Sequence, residues 1–304
     1  MCPNLAVDET ISVDHLETGR VHRAKAKLRV PGAKGVNVAR VLSTLRIPCV
    51  LTGLVGGAAG NFITGGLQAE HIRFEPCTVS QESRTCHILL DEQNSRQTVV
   101  NEPGPEITPE ETERFTCRFE QLLDKAGLIA LSGSLPPGMP DDFYARLIAR
   151  AGSAGKRVMV DCSGAALRHA ALARPFLLKI NQVEASVFGG QPVETAVDAA
   201  RTVDRLLGQG LPLVMVTLGA DGAVLATSKE KLRFVPPAIR ARNSVGSGDA
   251  ALAGLVAGLE SGLSLVELGK LAMAAAAANA LYGGGRCRLE DITTFRSQVG
   301  CQRI

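Results

Sequence analysis

Apolar positions along the chain change period several times, and the changes predict its elements. Val38, Val41, Leu42 and Leu45 recur at helical spacing, so 36–45 is predicted as a helix, ended by Pro48 before a strand at 49–55. Gly56, Gly57 and Gly60 open a second helix reaching about His71. Before these, 11–28 alternates loosely, with Val21, Ala24, Ala26 and Leu28 punctuating His22, Arg23, Lys25 and Lys27, which predicts exposed strands. Segments 84–90 and 97–101 flank a polar turn at 91–96 and predict a peripheral hairpin. Further on, short branched runs at 128–132, 157–161, 176–180 and 213–217 alternate with helical stretches at 109–125, 141–154, 194–209, 248–261 and 265–281. Apolar strands separated by helices predict an α/β fold, a doubly wound and mostly parallel central sheet flanked by helices. In such sheets ligands bind beyond the carboxyl ends of the strands. Here those ends carry Ser132-Gly133-Ser134, Asp161-Cys162-Ser163, Lys179-Ile180-Asn181 and Thr217-Leu218-Gly219.

Composition narrows the class. At 45% apolar the 304 residues can bury a sizeable core, and with neither a low-complexity linker nor an internal repeat the expectation is one domain over 1–304. The formal charge of +3, aromatic content of 4% and dispersed lysines and arginines argue against nucleic acid as a partner. The longest apolar run, near 271–278, is mostly alanine and too short for a bilayer, and residues 1–4 have no basic-then-apolar pattern, so no membrane partner and a cytoplasmic location are expected. Eight cysteines form no Cys-x-x-Cys pair and five histidines stand alone, so no metal site built wholly of protein ligands is expected.

The most informative stretch is Asn243-Ser244-Val245-Gly246-Ser247-Gly248-Asp249, a glycine-rich turn feeding an apolar helix. Glycines let successive N–H groups converge at the positive end of a helix, where anions bind. Asp249 is misplaced for anion binding alone; it makes sense if a carboxylate must deprotonate the group that attacks a phosphate. The plainer reading is an acidic residue that suits the helix dipole. A second such turn, Pro31-Gly32-Ala33-Lys34-Gly35-Val36-Asn37, carries a cation and an amide at a helix start. It suits a polar or anionic ligand, or is a helix terminus with an exposed lysine.

Together the two turns resemble the signatures of the PfkB carbohydrate kinases of the ribokinase superfamily. Between them stand Glu82-Ser83-Arg84-Thr85, 101–107, 131–138, Lys179-Ile180-Asn181-Gln182-Val183-Glu184 and 217–222, in an order most similar to the sugar-phosphate branch. The resemblance implies ATP and Mg²⁺ as cofactors and Asp249 as general base, with the amides of Gly246, Ser247 and Gly248 facing the transferring phosphoryl group. It implies that Asp8, Gly32 and Asn37 hold sugar hydroxyls, and that Arg84, assisted by Lys34 and Ser132, holds a substrate phosphate. Lys179 would reach the ATP phosphates, Asn181 and Glu184 would act on Mg²⁺ through water, Thr217, Gly219 and Gly222 would border the nucleotide, and Asn279 would lie near the adenine. The implied activity is phosphorylation of a ketohexose phosphate, fructose 1-phosphate first. Tagatose 6-phosphate, fructose 6-phosphate, an unphosphorylated sugar or nucleoside, and a non-catalytic sensor are the alternatives. Strands at about 10–30 and 84–101 would form a small β-lid that pairs with a second subunit in a homodimer. The sequence departs from the family pattern at Ala33, where glycine is usual, at Cys86, where asparagine is usual, and at the N-terminus, where a whole strand usually precedes Asn4.

Overall fold

The computed structural model describes residues 1–94 and 96–304. In chain order the strands are β1 (Ala6–Val13), β2 (Ala26–Gly32), β3 (Leu51–Val55), β4 (Phe74–Thr78), β5 (Arg84–Asp91), β6 (Arg96–Asn101), β7 (Leu128–Ser132), β8 (Arg157–Asp161), β9 (Leu177–Asn181), β10 (Leu213–Thr217), β11 (Ala223–Ala226), β12 (Lys231–Val235) and β13 (Gly300–Arg303). The helices are α1 (Lys34–Thr44), α2 (Gly57–Ala69), α3 (Pro109–Leu123), α4 (Phe143–Ser153), α5 (Gly164–Leu172), α6 (Gln182–Gly189), α7 (Ala196–Gly208), α8 (Ser247–Glu260), α9 (Leu265–Ala280) and α10 (Leu289–Gln298).

The main sheet has the order β13-β12-β11-β10-β9-β8-β7. Strands β7 to β10 run parallel, and β11 to β13 add antiparallel at one edge. Successive side chains of a strand face opposite sides. Val158 and Val160 therefore enter one core with Phe115, Phe143 and Tyr144, while Met159 enters the other with Leu252, Leu255 and Met273. This two-sided burial is the doubly wound fold that the apolar strand runs predict. The register pairs Ser132 with Asp161 and Thr217 with Asn181, which lines the carboxyl ends of four strands along one rim.

The smaller sheet has the order β2-β1-β5-β6 and contains the expected 84–101 hairpin. The expectation of exposed strands across 11–28 needs correction. β1 begins at Ala6, is largely buried and lies between β2 and β5; only β2 is mostly exposed. The elements α5, α6, β4, α10 and the β11–β13 edge escaped the sequence reading, since most are short and carry little periodic signal.

A third, two-stranded sheet pairs β3 with β4. Residues 1–4 bridge it to the main sheet: Cys2 N–H donates to Thr52 O (2.9 Å) and Leu54 N–H to Pro3 O (3.4 Å), while Ser132 N–H donates to Met1 O (3.0 Å). The Met1 ammonium is buried and donates to Ala130 O at 2.7 Å. Beyond it a cavity of about 620 Å³ continues between Cys49, Val50 and Leu51 on one wall and Leu128 and Ala130 on the other.

Candidate active site

The rim of the main sheet faces the head of α8. Gly246 caps this helix at φ 82°, the left-handed region that favours glycine. Ser247 N–H donates to Ser244 O (3.1 Å) and closes the turn, which corrects the expected set of amides. Among the described residues the N–H groups of Gly246, Gly248 and Asp249 have no acceptor within the chain, so these three remain for an anion. Asp249 is buried at 6% exposure and accepts a hydrogen bond from Asn37 Nδ2 at 2.8 Å. Burial pushes its carboxyl pKa up against the pull of Lys34, with Asp161 adding to the rise and Lys179 and the Asn37 hydrogen bond opposing it.

Behind this turn a carboxylate holds two lysines. Asp161, wholly buried at the end of β8, lies 2.5 Å from Lys34 Nζ and 2.6 Å from Lys179 Nζ. Burial would raise its pKa, but the two ammonium groups outweigh that and hold it down. Burial likewise opposes the charge of Lys34, yet Asp161, Asp249 and Glu184 keep it protonated well above the usual lysine range. Lys34 was expected beside Arg84. The structure turns it the other way, toward Asp161, because that carboxylate neutralises a buried cation. Lys179 Nζ lies 2.9 Å from where a Cβ on Gly248 would stand, so the glycine makes room for the ammonium at the turn.

On the β9–β10 side, Asn181 and Glu184 form a capping box at the start of α6: Asn181 Oδ1 accepts from Glu184 N–H, and Glu184 Oε2 from Asn181 N–H, each at 2.9 Å. Glu184 Oε1 stays clear of the cap and stands 3.9 Å from Lys34 Nζ. Thr217 Oγ1 donates to Ile180 O at 3.4 Å, tying β10 to β9. Gly219 and Gly222 turn the chain into β11, and a side chain at Gly222 would strike Phe234 O. Asn279 does not fit the expected place beside an adenine. It is wholly buried, and its amide donates to Val245 O (2.9 Å) and Ser247 Oγ (3.0 Å) and accepts from Gly285 N–H (2.8 Å). Both polar atoms of the side chain are engaged within the chain, the nitrogen at Val245 and Ser247 and the oxygen at the 283–285 loop.

The small sheet brings Asp8 and Arg84 to the same mouth. Asp8 is pushed up to about 6 by burial, against the pull of Arg40 and Arg84. Gly32 lies against it, and Ala33 beside it adopts φ 106° and ψ 159°. Arg84 Nη1 donates to Glu102 O (3.0 Å) and Nη2 to Asn4 O (3.1 Å), while its Nε is buried without a partner. Ser132 Oγ and Asn4 Oδ1 are also buried without partners. Unpaired buried polar atoms are costly, and Arg84 and Asn4, joined through the Asn4 carbonyl, each leave one such atom among the described residues.

The match to a family model described as "pfkB family carbohydrate kinase" runs over residues 3–291. The chain belongs to the pfkB family of carbohydrate kinases. PfkB kinases use ATP as phosphate donor, so it is a phosphotransferase acting on an alcohol group. Escherichia coli phosphofructokinase-2, solved with substrates and products, is 27% identical with TM-score 0.89, covering 97% of each chain. A Thermotoga maritima protein described as a possible 1-phosphofructokinase is 25% identical with TM-score 0.90, covering 99% of this chain and 98% of that one. Arabidopsis thaliana ribokinase, at 20% identity and TM-score 0.76 over 97% of each chain, shares the fold.

In this pfkB kinase the sequence marks Asp161 only as part of a polar strand end, with no role assigned, and gives Arg40 and Asn4 no part in the site. Asp161 had a signal, an acidic residue at the carboxyl end of a parallel strand. Arg40 had another, a charge three residues after Asn37 on a helix whose other faces are apolar.

Proposed function

We propose that the chain transfers the γ-phosphoryl group of ATP to a hydroxyl of a ketohexose phosphate, fructose 1-phosphate first, to form the bisphosphate. The observation that carries this reading is the Asn37–Asp249 pair at 2.8 Å, set at a helix N-terminus with the Asp161-held lysines behind it. Asp249 accepts the proton of the attacking hydroxyl, and the amides of Gly246, Gly248 and Asp249 face the charge on the moving group. Lys179 neutralises phosphate oxygens from the nucleotide side, bordered by Thr217, Gly219 and Gly222. Asp8, Gly32 and Asn37 hold the sugar. Arg84 through Nε, with Ser132 Oγ, holds its phosphate; both atoms lack partners among the described residues. Glu184 Oε1, left free by the capping box, suits a water of hydrated Mg²⁺, an ion that draws charge from the phosphate oxygens when bound.

The sheet β2-β1-β5-β6 is read as a lid that closes over the sugar and excludes water. Leu28, Val99 and Val100 are about half exposed on it and suit pairing with a second copy. Purified protein with ATP, Mg²⁺ and a panel of ketohexose phosphates tests the reading: ADP release is expected with fructose 1-phosphate, and background rates with all of them would sink it. Asp249→Ala should lose turnover by several orders of magnitude while ATP still binds.

One observation favours a second reading, a kinase of an unphosphorylated sugar: both terminal nitrogens of Arg84 already have backbone acceptors. Arg84→Ala separates the two, since it should raise KM selectively for phosphorylated sugars in the first case and leave it unchanged in the second.

A further inference from the structure

Arg40, on α1, is 7% exposed, and all five N–H groups of its guanidinium have acceptors. Nε and Nη2 hold Glu70 Oε2 and Oε1 at 2.6 and 2.7 Å, a bidentate pair. Nη2 also donates to Pro31 O (2.8 Å), and Nη1 to Gly284 O (3.0 Å) and Asn37 Oδ1 (3.4 Å). A buried ion pair is a poor way to gain stability, since apolar residues of similar volume do as well. What a planar fork supplies is direction, and two of these acceptors, Asn37 Oδ1 and Gly284 O, belong to segments that lie against the Gly246–Asp249 turn.

An asparagine amide can be turned either way, and its partners decide which end faces which. With Oδ1 drawn to the guanidinium, Asn37 can only present Nδ2 to Asp249, as observed. The Gly284 carbonyl fixes the loop 283–285. That loop supports the turn in its own right: Gly284 N–H donates to Val245 O (2.9 Å) and Gly285 N–H to Asn279 Oδ1 (2.8 Å). A Cβ on Gly285 would stand 2.5 Å from Asn37 Cα, so loop and helix are in contact with no slack. Pro31, the last acceptor, leads directly into the Gly32–Ala33 turn of the sugar site.

We propose that Arg40 is a positioning residue for the catalytic base: it aims the Asn37 amide at Asp249 and holds the 283–285 loop behind the turn, while Glu70 balances its charge. The proposal rests on the reading of Asp249 as general base. Other charged groups face Asp249 as well, namely Lys34 of α1, Asp161 of β8, Lys179 of β9 and Asp8 of β1. Lys34, Asp161 and Lys179 are unchanged by substitution at position 40, but Asp8 is itself held down by Arg40, so each pH profile is taken in an Asp8→Asn background, where a shift of the acid limb reports on Asp249 through Asn37 and Arg40. Loss of a hydrogen bond to the ionised carboxylate raises its pKa.

The test is steady-state kinetics from pH 5 to 9, with thermal melting, on Arg40→Lys, Arg40→Gln, Glu70→Gln and Asp249→Asn, using ATP and the sugar phosphate turned over fastest. Both Arg40 variants are expected to lose about 10- to 100-fold in kcat, as for other supports of a reacting group. The acid limb of kcat/KM should move to higher pH, with KM for ATP within about twofold. Glu70→Gln should melt lower yet keep kcat within about threefold, because the bonds to Asn37 and Gly284 survive. An acid limb that stays in place, with kcat falling only as the folded fraction falls, overturns the proposal; if Arg40→Gln does not fold, Arg40→Lys decides. Normal turnover by Asp249→Asn would instead remove the base and the Arg40 proposal with it. An inactive Asp249→Asn beside an unmoved acid limb refutes Arg40 alone.

Discussion

The Asp8 carboxylate lies so close against Gly32 that a Cβ on that glycine would fall within it. The contact places an acidic group at the mouth of the site, and burial raises its pKa from 3.8 to about 6. A carboxylate whose folded pKa is raised contributes stability that is present below about pH 3.8 and is lost as the pH climbs through 6. At neutral pH the free protein therefore carries a penalty of up to roughly 3 kcal/mol, at about 1.4 kcal/mol per pH unit.

Asp8→Asn is thus expected to melt higher than the parent at pH 7 to 8 and no higher near pH 4, while KM for the sugar rises about tenfold or more. Melting curves at several pH values check the first part and initial rates the second. An equal gain at every pH would refute the titration argument.

Ala33 sits at φ 106° and ψ 159°, a region essentially restricted to glycine that costs an alanine of order 1–3 kcal/mol. Its carbonyl accepts from Val36 N–H and Asn37 N–H at 3.0 and 3.2 Å, and those bonds hold the strained turn at the head of α1. Ala33→Gly should raise stability by about 1 kcal/mol, after the added freedom of glycine in the unfolded chain, and shift Tm up by a few degrees. A lower Tm would show that the turn is not strained at this residue.

Asp161 neutralises Lys34 and Lys179 together. Asp161→Asn keeps the shape, leaves the buried Lys179 and the half-buried Lys34 ammonium groups without their counter-ion, and should cost about 3 kcal/mol of stability. Turnover should fall about 100-fold or more as the lysines leave their places. In the double variant with Lys34→Met, much of the lost Tm should return without the activity. No recovery of Tm would mean that the missing counter-ion is not the cause.

Burial lowers the pKa of the Met1 ammonium from 8.0. The folded state then binds fewer protons than the unfolded state just below pH 8, and stability rises with pH through that window. The cavity of about 620 Å³ beyond Met1 is walled by Leu51 of β3 and by Leu128 and Ala130 of β7, and the first residues of the chain already hydrogen-bond to backbone on both sides, at Thr52 and Leu54 and at Ala130 and Ser132. Adding about four alternating apolar residues before Met1 should move the charge outward, lay the added chain into the cavity and raise Tm by several degrees, most of all below pH 8. An addition of equal length made of Ser, Asn and Asp serves as control; equal melting of the two would show that the cavity does not take the added chain.

Much of the site was legible because its chemistry is local. Gly246, Gly248 and Asp249 lie within four residues of one another, and so do Lys34 and Asn37, so turn geometry and helix N-termini could be read without knowing the fold. The same signals misled at Asn279, where an amide among alanines was assigned to the nucleotide although both its polar atoms are engaged within the chain. Lys34 was assigned to the substrate phosphate because the sequence shows its charge and not its partner.

The succession of apolar strands and helices, the two glycine-rich turns and the acidic residue at the head of α8 follow from the order of residues alone, since each depends on spacings of a few positions. Only the tertiary structure decided which distant groups meet. Asp161 reaches Lys34 across 127 positions from the end of β8, and Asn37 reaches Asp249 across 212 where α1 packs against α8. Arg40 owes its role to acceptors drawn from α2, the Pro31 turn and the 283–285 loop at once. A buried charge must find partners wherever the fold brings them, and no local spacing encodes that choice.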